Sequence, residues 1–259
     1  LKQEKRMTRY LDRIFPAASI IKKTKEYRTG EDTYGAYALS LDVYTPPDTD
    51  TETDRPWVVW LHGGSFEEGS KNGMSLYCKE YARRGYVAVS ADYRLQQGRH
   101  PGSPPGEAAA AAQEDTLAAV EWVRARAGQL KVDSGRAIVG GFSAGAVTAA
   151  WCAYKWDQTP PALSAPPIKV AVLMDGSMIQ PVDIIAGDPP MGSVRSATEW
   201  PDGPGNPHFM SLLARLDEVG IPYYDWQMPD TVHTDFLDVA RIPEICASLA
   251  PFLRTHVLA

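Results

Sequence analysis

The sequence predicts an α/β protein with one mostly parallel central sheet and helices on both faces. Two observations carry that reading. From residue 57 onward, short apolar runs alternate with stretches at helical spacing. That is the pattern of strands buried on both sides and joined by crossover helices. The chain has 259 residues and is 44% hydrophobic, enough for one large core and short for two. Residues 1–259 therefore read as a single domain, with no internal repeat.

The elements follow in order. YALSLDVY (37–44) places Tyr37, Leu39, Leu41 and Val43 on one face, the period of a half-buried strand. Pro46 and Pro47 end it, and TPPDTDTETDRP is a polar turn. WVVWL (57–61) is a continuous apolar run, as a doubly covered strand requires. MSLYCKEYARR has helical spacing, and Gly85 is placed to cap it. YVAVSA (86–91) is the next buried strand. The loop QQGRHPGSPPGE leads to a helix near 107–127, with Leu117, Val120 and Val123 at helical spacing and Gly128 as its cap.

A strand (AIVGGF), a helix from Ala144 and a strand (VAVLM, 170–174) come next, then a weaker strand near 191–197. Asn206-Pro207 opens the helix FMSLLARLDEVG, with Asn at the cap and Pro at the first position, and Gly220 closes it. PYYDWQM is the last strand, and a helix near 236–255 ends the chain. Sites in such sheets lie beyond the carboxyl ends of the strands.

Charge and composition narrow the function. The net charge is −6, and no basic stripe suited to nucleic acid is present. Lys22, Lys23 and Lys25 are followed by Glu26, Glu31 and Asp32, which reads as a solvated face. No apolar run approaches the roughly 18 residues of a membrane span. LKQEKRMTRY is charged and lacks a secretory-signal pattern. Cys78, Cys152 and Cys246 are widely spaced with no CxxC and read as buried free thiols. These features favour the cytoplasm. No His, Cys or carboxylate cluster has metal-ligand spacing, so neither a metal nor an organic cofactor is expected. Nothing specifies an oligomeric state.

Two motifs carry chemistry. Gly141-Phe142-Ser143-Ala144-Gly145 stands where a strand ends and a helix begins. In that context G-x-S-x-G describes a nucleophile on a turn so tight that side chains at the glycines would clash. Ser143 is then strained, and the helix N-terminus adds a positive field beneath it. A plain structural turn is the alternative. His62-Gly63-Gly64-Ser65-Phe66 follows WVVWL. Its glycines allow backbone N–H groups to face the space above Ser143 and, with the N–H of Ala144, to hold a developing oxyanion. His62, which precedes that turn, reads as structural.

With HGGSF, ADYRL (91–95), QEDTLAAVEWVRA and GFSAGA in hand, the chain resembles an α/β-hydrolase of the carboxylesterase and hormone-sensitive-lipase-like type over roughly residues 40–256. Ser65 stands where close relatives often carry a third glycine, and the family usually donates from the second and third positions, here Gly64 and Ser65. The resemblance implies a serine hydrolase acting on a small-molecule ester. It places the catalytic histidine after the last strand, at His233 in MPDTVHTDF. For the acid it implies a residue just after the seventh strand: PPMGSVRSATEWPDGP puts Glu199 there, with Asp202 and then Asp175 as alternatives. Phe66, Phe142 and His100 are substrate-binding candidates, and His208 and His256 read as surface residues.

The stretch between the strands at 170–174 and 191–197 is too short for a helical cap. Residues 1–36 either cover the site or simply pack on the main domain. Amide, formamide or thioester cleavage, a non-hydrolytic step such as acyl transfer, cyclisation or elimination, and a catalytically dead binding module remain alternatives.

Overall fold

A computed structural model describes residues 8–32, 35–95, 105–158, 165–176, 179–197 and 207–259. Its strands are β1 (Ile21–Asp32), β2 (Gly35–Thr45), β3 (Arg55–Leu61), β4 (Val87–Ala91), β5 (Val132–Phe142), β6 (Val170–Met174), β7 (Met191–Arg195) and β8 (Tyr223–Gln227). The helices are α1 (Ser75–Arg83), α2 (Pro105–Arg124), α3 (Ala127–Leu130), α4 (Ala144–Tyr154), α5 (Pro207–Val219) and α6 (Ile242–Leu258). All eight strands form one sheet in the order β1-β2-β4-β3-β5-β6-β7-β8. The pairs β1–β2 and β2–β4 are antiparallel, and the six strands from β4 to β8 run parallel.

The apolar runs become the sheet's centre. Every residue of β3, β4 and β6 is buried. One face packs on α2, α4 and α5 through residues such as Val120, Ala149 and Leu212. The other packs on α1 and α6 through Tyr77, Tyr81, Ile245 and Leu249. Gly85 ends α1 at φ 103° and Gly220 follows α5 at φ 73°, the left-handed closure that favours glycine. Gly128 does not cap α2: it lies inside α3, and Lys131 takes the left-handed position there instead.

The strand that looked weak, β7, is fully buried. Its polar residues are paired with the neighbouring strand. Arg195 makes two hydrogen bonds to Asp225, at 2.9 and 2.6 Å, and the Ser193 hydroxyl donates to the same carboxylate at 2.5 Å. Gly192 is small because Leu249 of α6 packs on it: a Cβ there would stand 3.0 Å from Leu249 Cδ2.

The charged stretch from Ile21 to Asp32, read as a solvated face, is the edge strand β1. Its lysines suit that place, since charge on an edge discourages pairing with other chains. Residues 8–20 do not cover the site. Tyr10 N–H donates to Arg84 O at 2.8 Å, and Ile14 and Phe15 N–H donate to Arg83 O. That junction leads into the start of β4, so the segment lies at the end of the sheet opposite the strands' carboxyl ends. Residues 1–7 lie outside the described residues. Between β6 and β7 the described residues hold one short 3-10 turn, Pro181–Asp183, and no cap domain. Among the described residues no helix is long and apolar enough to cross a membrane.

Candidate active site

β5 stops at Phe142, and α4 starts at Ala144. Between them Ser143 adopts φ 54° and ψ −120°, a conformation that costs a non-glycine residue on the order of 1–3 kcal/mol. The flanking glycines are steric necessities. A Cβ on Gly141 would stand 2.3 Å from the backbone of Gly145, and one on Gly145 would stand 2.2 Å from Leu61 O. Three hydrogen bonds hold the strained residue: Ser143 N–H to Met174 O at 2.9 Å, and the N–H groups of Ala146 and Val147 to Ser143 O at 2.9 and 3.1 Å. The N–H of Ala144, first in α4, has no acceptor within the helix.

The turn after β3 abuts this serine: a Cβ on Gly63 would lie 3.1 Å from Ser143 Cβ. Gly64 has φ 120°, and a Cβ there would collide with Glu68 O at 2.2 Å. Ser65 and Phe66 also take positive φ, 54° and 63°. Gly64 O closes the turn by accepting from Glu67 and Glu68 N–H at 2.8 and 3.0 Å. Among the described residues, the N–H groups of Gly63, Gly64 and Ser65 donate to no backbone carbonyl.

His62 holds the turn from behind. Its ring is 3% exposed and stacks on Tyr93 with centroids 4.3 Å apart. The Tyr93 hydroxyl donates to His62 O at 2.7 Å. Burial pushes the His62 pKa below the ordinary histidine value, so the ring is neutral at pH 7. Its Nδ1 lies 2.8 Å from Gly63 O, a contact that requires Nδ1 to carry the proton. In a trans peptide the carbonyl and the next N–H point in opposite directions. Anchoring Gly63 O on His62 therefore turns the Gly64 N–H away from His62.

His233 follows β8 and begins a 3-10 turn, His233–Leu237. Asp235 caps that turn by accepting from Val232 N–H at 2.9 Å. His233 Nδ1 lies 2.6 Å from Asp175 Oδ2. Asp175 directly follows β6 and is 1% exposed. Ser196, just past β7, donates to it from its backbone N–H at 3.0 Å and from its hydroxyl at 2.9 Å. A buried carboxylate is tolerable when its oxygens are hydrogen-bonded in this way. With Nδ1–H committed to Asp175, Nε2 of a neutral His233 carries the lone pair. The rings of Phe142 and His233 pack with centroids 4.7 Å apart. Ser143 itself touches both neighbours of Asp175: it bonds to Met174 O, and a Cβ on Gly176 would lie 2.7 Å from Ser143 O.

Glu199 is the first of the acids the resemblance implies, with Asp202 and then Asp175 as alternatives. The carboxylate on His233 belongs to Asp175, third of the three candidates. Glu199 and Asp202 lie outside the described residues. Phe66, a substrate-binding candidate, faces inward. Its side chain is 4% exposed and meets Tyr93 edge-on at 6.2 Å, so it supports the turn from the core. Phe142 stays at the site. His100 lies outside the described residues, as does the His208 side chain, and His256 packs on Phe252 in α6. The sequence reading missed Ser196 and gave Tyr93 no role, although ADYRL contains the latter.

Residues 41–183 match the BD-FAE family. Among curated relatives, esterase LipI of Mycobacterium tuberculosis is 34% identical over 113 residues, covering 43% of this chain and 33% of that protein. The probable N-octanoylanthranilate hydrolase AqdA2 of Rhodococcus erythropolis is 36% identical over 92 residues, covering 35% of this chain and 20% of that protein. The chain thus spans a third or less of the length of both relatives. Among solved structures, Thermogutta terrifontis esterase 2 phosphoramylated by tabun superposes with a TM-score of 0.76 at 21% identity, covering 91% of this chain and 94% of that one. That likeness shows the α/β-hydrolase fold.

Proposed function

Since the chain belongs to the BD-FAE family, whose fold places a serine, a histidine and an acid at the strands' carboxyl ends, we propose that it hydrolyses small carboxylic esters with Ser143, His233 and Asp175. The observation that carries this reading is the 2.6 Å contact between His233 Nδ1 and the buried Asp175 carboxylate, beside a serine on a strained strand-to-helix turn.

In this mechanism Ser143 Oγ attacks the acyl carbonyl while His233 Nε2 takes its proton. Asp175 keeps the proton of Nδ1 in place and stabilises the imidazolium, without itself becoming protonated. The carbonyl oxygen becomes an oxyanion, which the N–H groups of Gly64, Ser65 and Ala144 receive, with Gly63 completing the turn. Fixed donors of this kind need no reorganisation as charge develops. His233 then returns the proton to the departing alcohol. Water, activated by the same nitrogen, releases the acid and restores Ser143.

A second reading, cleavage of an N-acyl bond, has one support: the relative named as a probable N-octanoylanthranilate hydrolase. The chemistry is the same apart from the leaving group.

The test is intact-mass analysis after exposure to a fluorophosphonate, with Ser143→Ala as control. One adduct on the native chain and none on the variant supports an activated serine. No adduct on folded protein overturns the mechanism. Turnover of matched esters and amides then decides between the two substrate readings.

A further inference from the structure

A cavity far from Ser143 holds about 500 Å³, within the ~300–1,000 Å³ of pockets that take small molecules. Arg55, Val87 and Lys131 line it. They are the first residues of β3 and β4 and the residue before β5. These are the amino ends of the parallel strands, so the cavity and the proposed catalytic residues stand at opposite ends of the sheet. The length of β3 alone separates them by about 20 Å, at roughly 3.3 Å per residue.

The floor is apolar. Val43 and Val87 are buried, and Trp122 of α2 and Leu130 of α3 add the helical side. The rim is cationic. Lys23 and Lys25 stand two residues apart on β1 and so share one face, opposite Val43 and Leu41 of β2. Lys22, on the other face, pairs with Asp42 at 2.7 Å. Lysines on either face would protect the edge, yet Lys23 and Lys25 line the cavity, and among the described residues neither makes an ion pair. Arg126 adds a third cation from the turn between α2 and α3. Its guanidinium is held 4.2 Å from the centroid of the Trp122 ring, Nη1 donates to Trp122 O at 3.1 Å, and among the described residues it has no carboxylate partner.

The acids of the lining do not cancel this charge. Asp50 is taken, since Arg55 Nη1 and Arg9 Nη1 both donate to its Oδ2, at 2.7 and 2.9 Å. With Glu26 and Asp48 counted as well, five cations stand against three acids, in a chain whose net charge is −6. A cleft with one sign of charge over apolar walls focuses the field on a ligand of the other sign. We propose that this cavity binds a small organic anion, a flat apolar body that carries one carboxylate or phosphate. The body lies against Trp122 and Val43, and the charge lies among Lys23, Lys25 and Arg126. The inference is independent of the ester reading.

The experiment is isothermal titration calorimetry at low ionic strength, where surface charge is least screened. The probes are 2-naphthoate, 2-naphthyl phosphate, 2-naphthamide and inorganic phosphate, on the native chain, the double variant Lys23→Glu/Lys25→Glu and Trp122→Ala. The native chain should bind 2-naphthoate about tenfold or more tightly than 2-naphthamide. The double variant should weaken 2-naphthoate by about tenfold or more, a modest loss for two exposed charges reversed together. Trp122→Ala should weaken both naphthyl anions alike. Both lysines are exposed on an edge strand, so the double variant keeps the fold and decides the matter even if Trp122→Ala does not fold. An affinity that the double variant leaves unchanged overturns the site and puts the binding elsewhere, the active site included. Equal affinity for 2-naphthoate and 2-naphthamide overturns the role of charge. Inorganic phosphate bound as tightly as 2-naphthyl phosphate overturns the role of the apolar floor and leaves a surface ion contact. No heat from either naphthyl anion at millimolar concentration overturns the proposal outright.

Discussion

The carboxylate of Asp175 is clamped between two partners from different strands: His233 Nδ1 at 2.6 Å, past β8, and the Ser196 hydroxyl at 2.9 Å, past β7. One acid thus ties together the ends of β6, β7 and β8, and sets both the tautomer and the orientation of His233.

Asp175→Asn should lower kcat by roughly 10³- to 10⁴-fold with little change in KM, because an amide can present its N–H to His233 and favour the wrong tautomer. Steady-state kinetics on a short ester, with Glu199→Gln and Asp202→Asn alongside, checks this. A larger loss in either of those two than in Asp175→Asn would assign the acid elsewhere.

Ser143→Gly should abolish turnover and yet stabilise the fold by about 1 kcal/mol or more, because glycine adopts φ 54° without the penalty that serine bears. Urea unfolding at pH 7 reads the gain. An unchanged or lower midpoint would mean that the turn stores no strain.

His62→Phe keeps the stacking on Tyr93 and removes the Nδ1 contact to Gly63 O. The Gly64 N–H then loses its anchor. The expected result is a fall in kcat of about tenfold or more at nearly constant KM, bounded by the 10²- to 10³-fold cost of losing one oxyanion donor outright. A rise in KM alone would show that the histidine serves substrate binding instead.

His62 also makes a pH prediction for stability. Its folded pKa is depressed by burial below the reference value of 6.5. Below about pH 6.5 the unfolded chain takes up a proton that the folded chain refuses, so stability falls as the pH drops. The contribution is complete above that value. Denaturation midpoints between pH 7.5 and pH 5 should decline more steeply for the native chain than for His62→Phe. Parallel slopes would place the titration in other groups.

Most of the framework was legible because strands buried on both faces read as near-continuous apolar runs, as 57–61 and 170–174 do and 87–91 does apart from Ser90. The serine turn was legible because only glycine fits where Gly141 and Gly145 pass the backbone of the next helix and of β3. β1 was not, since an edge strand can be charged along its whole length. β7 was blurred because Arg195 and Ser193 are matched by Asp225, 30 and 32 residues away in sequence and adjacent only in the sheet.

The sequence by itself determined the alternation of strand and helix, the strained serine and the glycine turn beside it. Each depends on local sterics or on hydrophobic periodicity, which short stretches of chain encode. Only the tertiary structure showed that Asp175 meets His233, that Phe66 faces the core, and that residues 8–20 lie away from the site. Those outcomes depend on strand order and on the hydrogen-bond demands of buried groups. A carboxylate finds its partner through the packed sheet, and no spacing along the chain records that Asp175 after β6 meets His233 after β8.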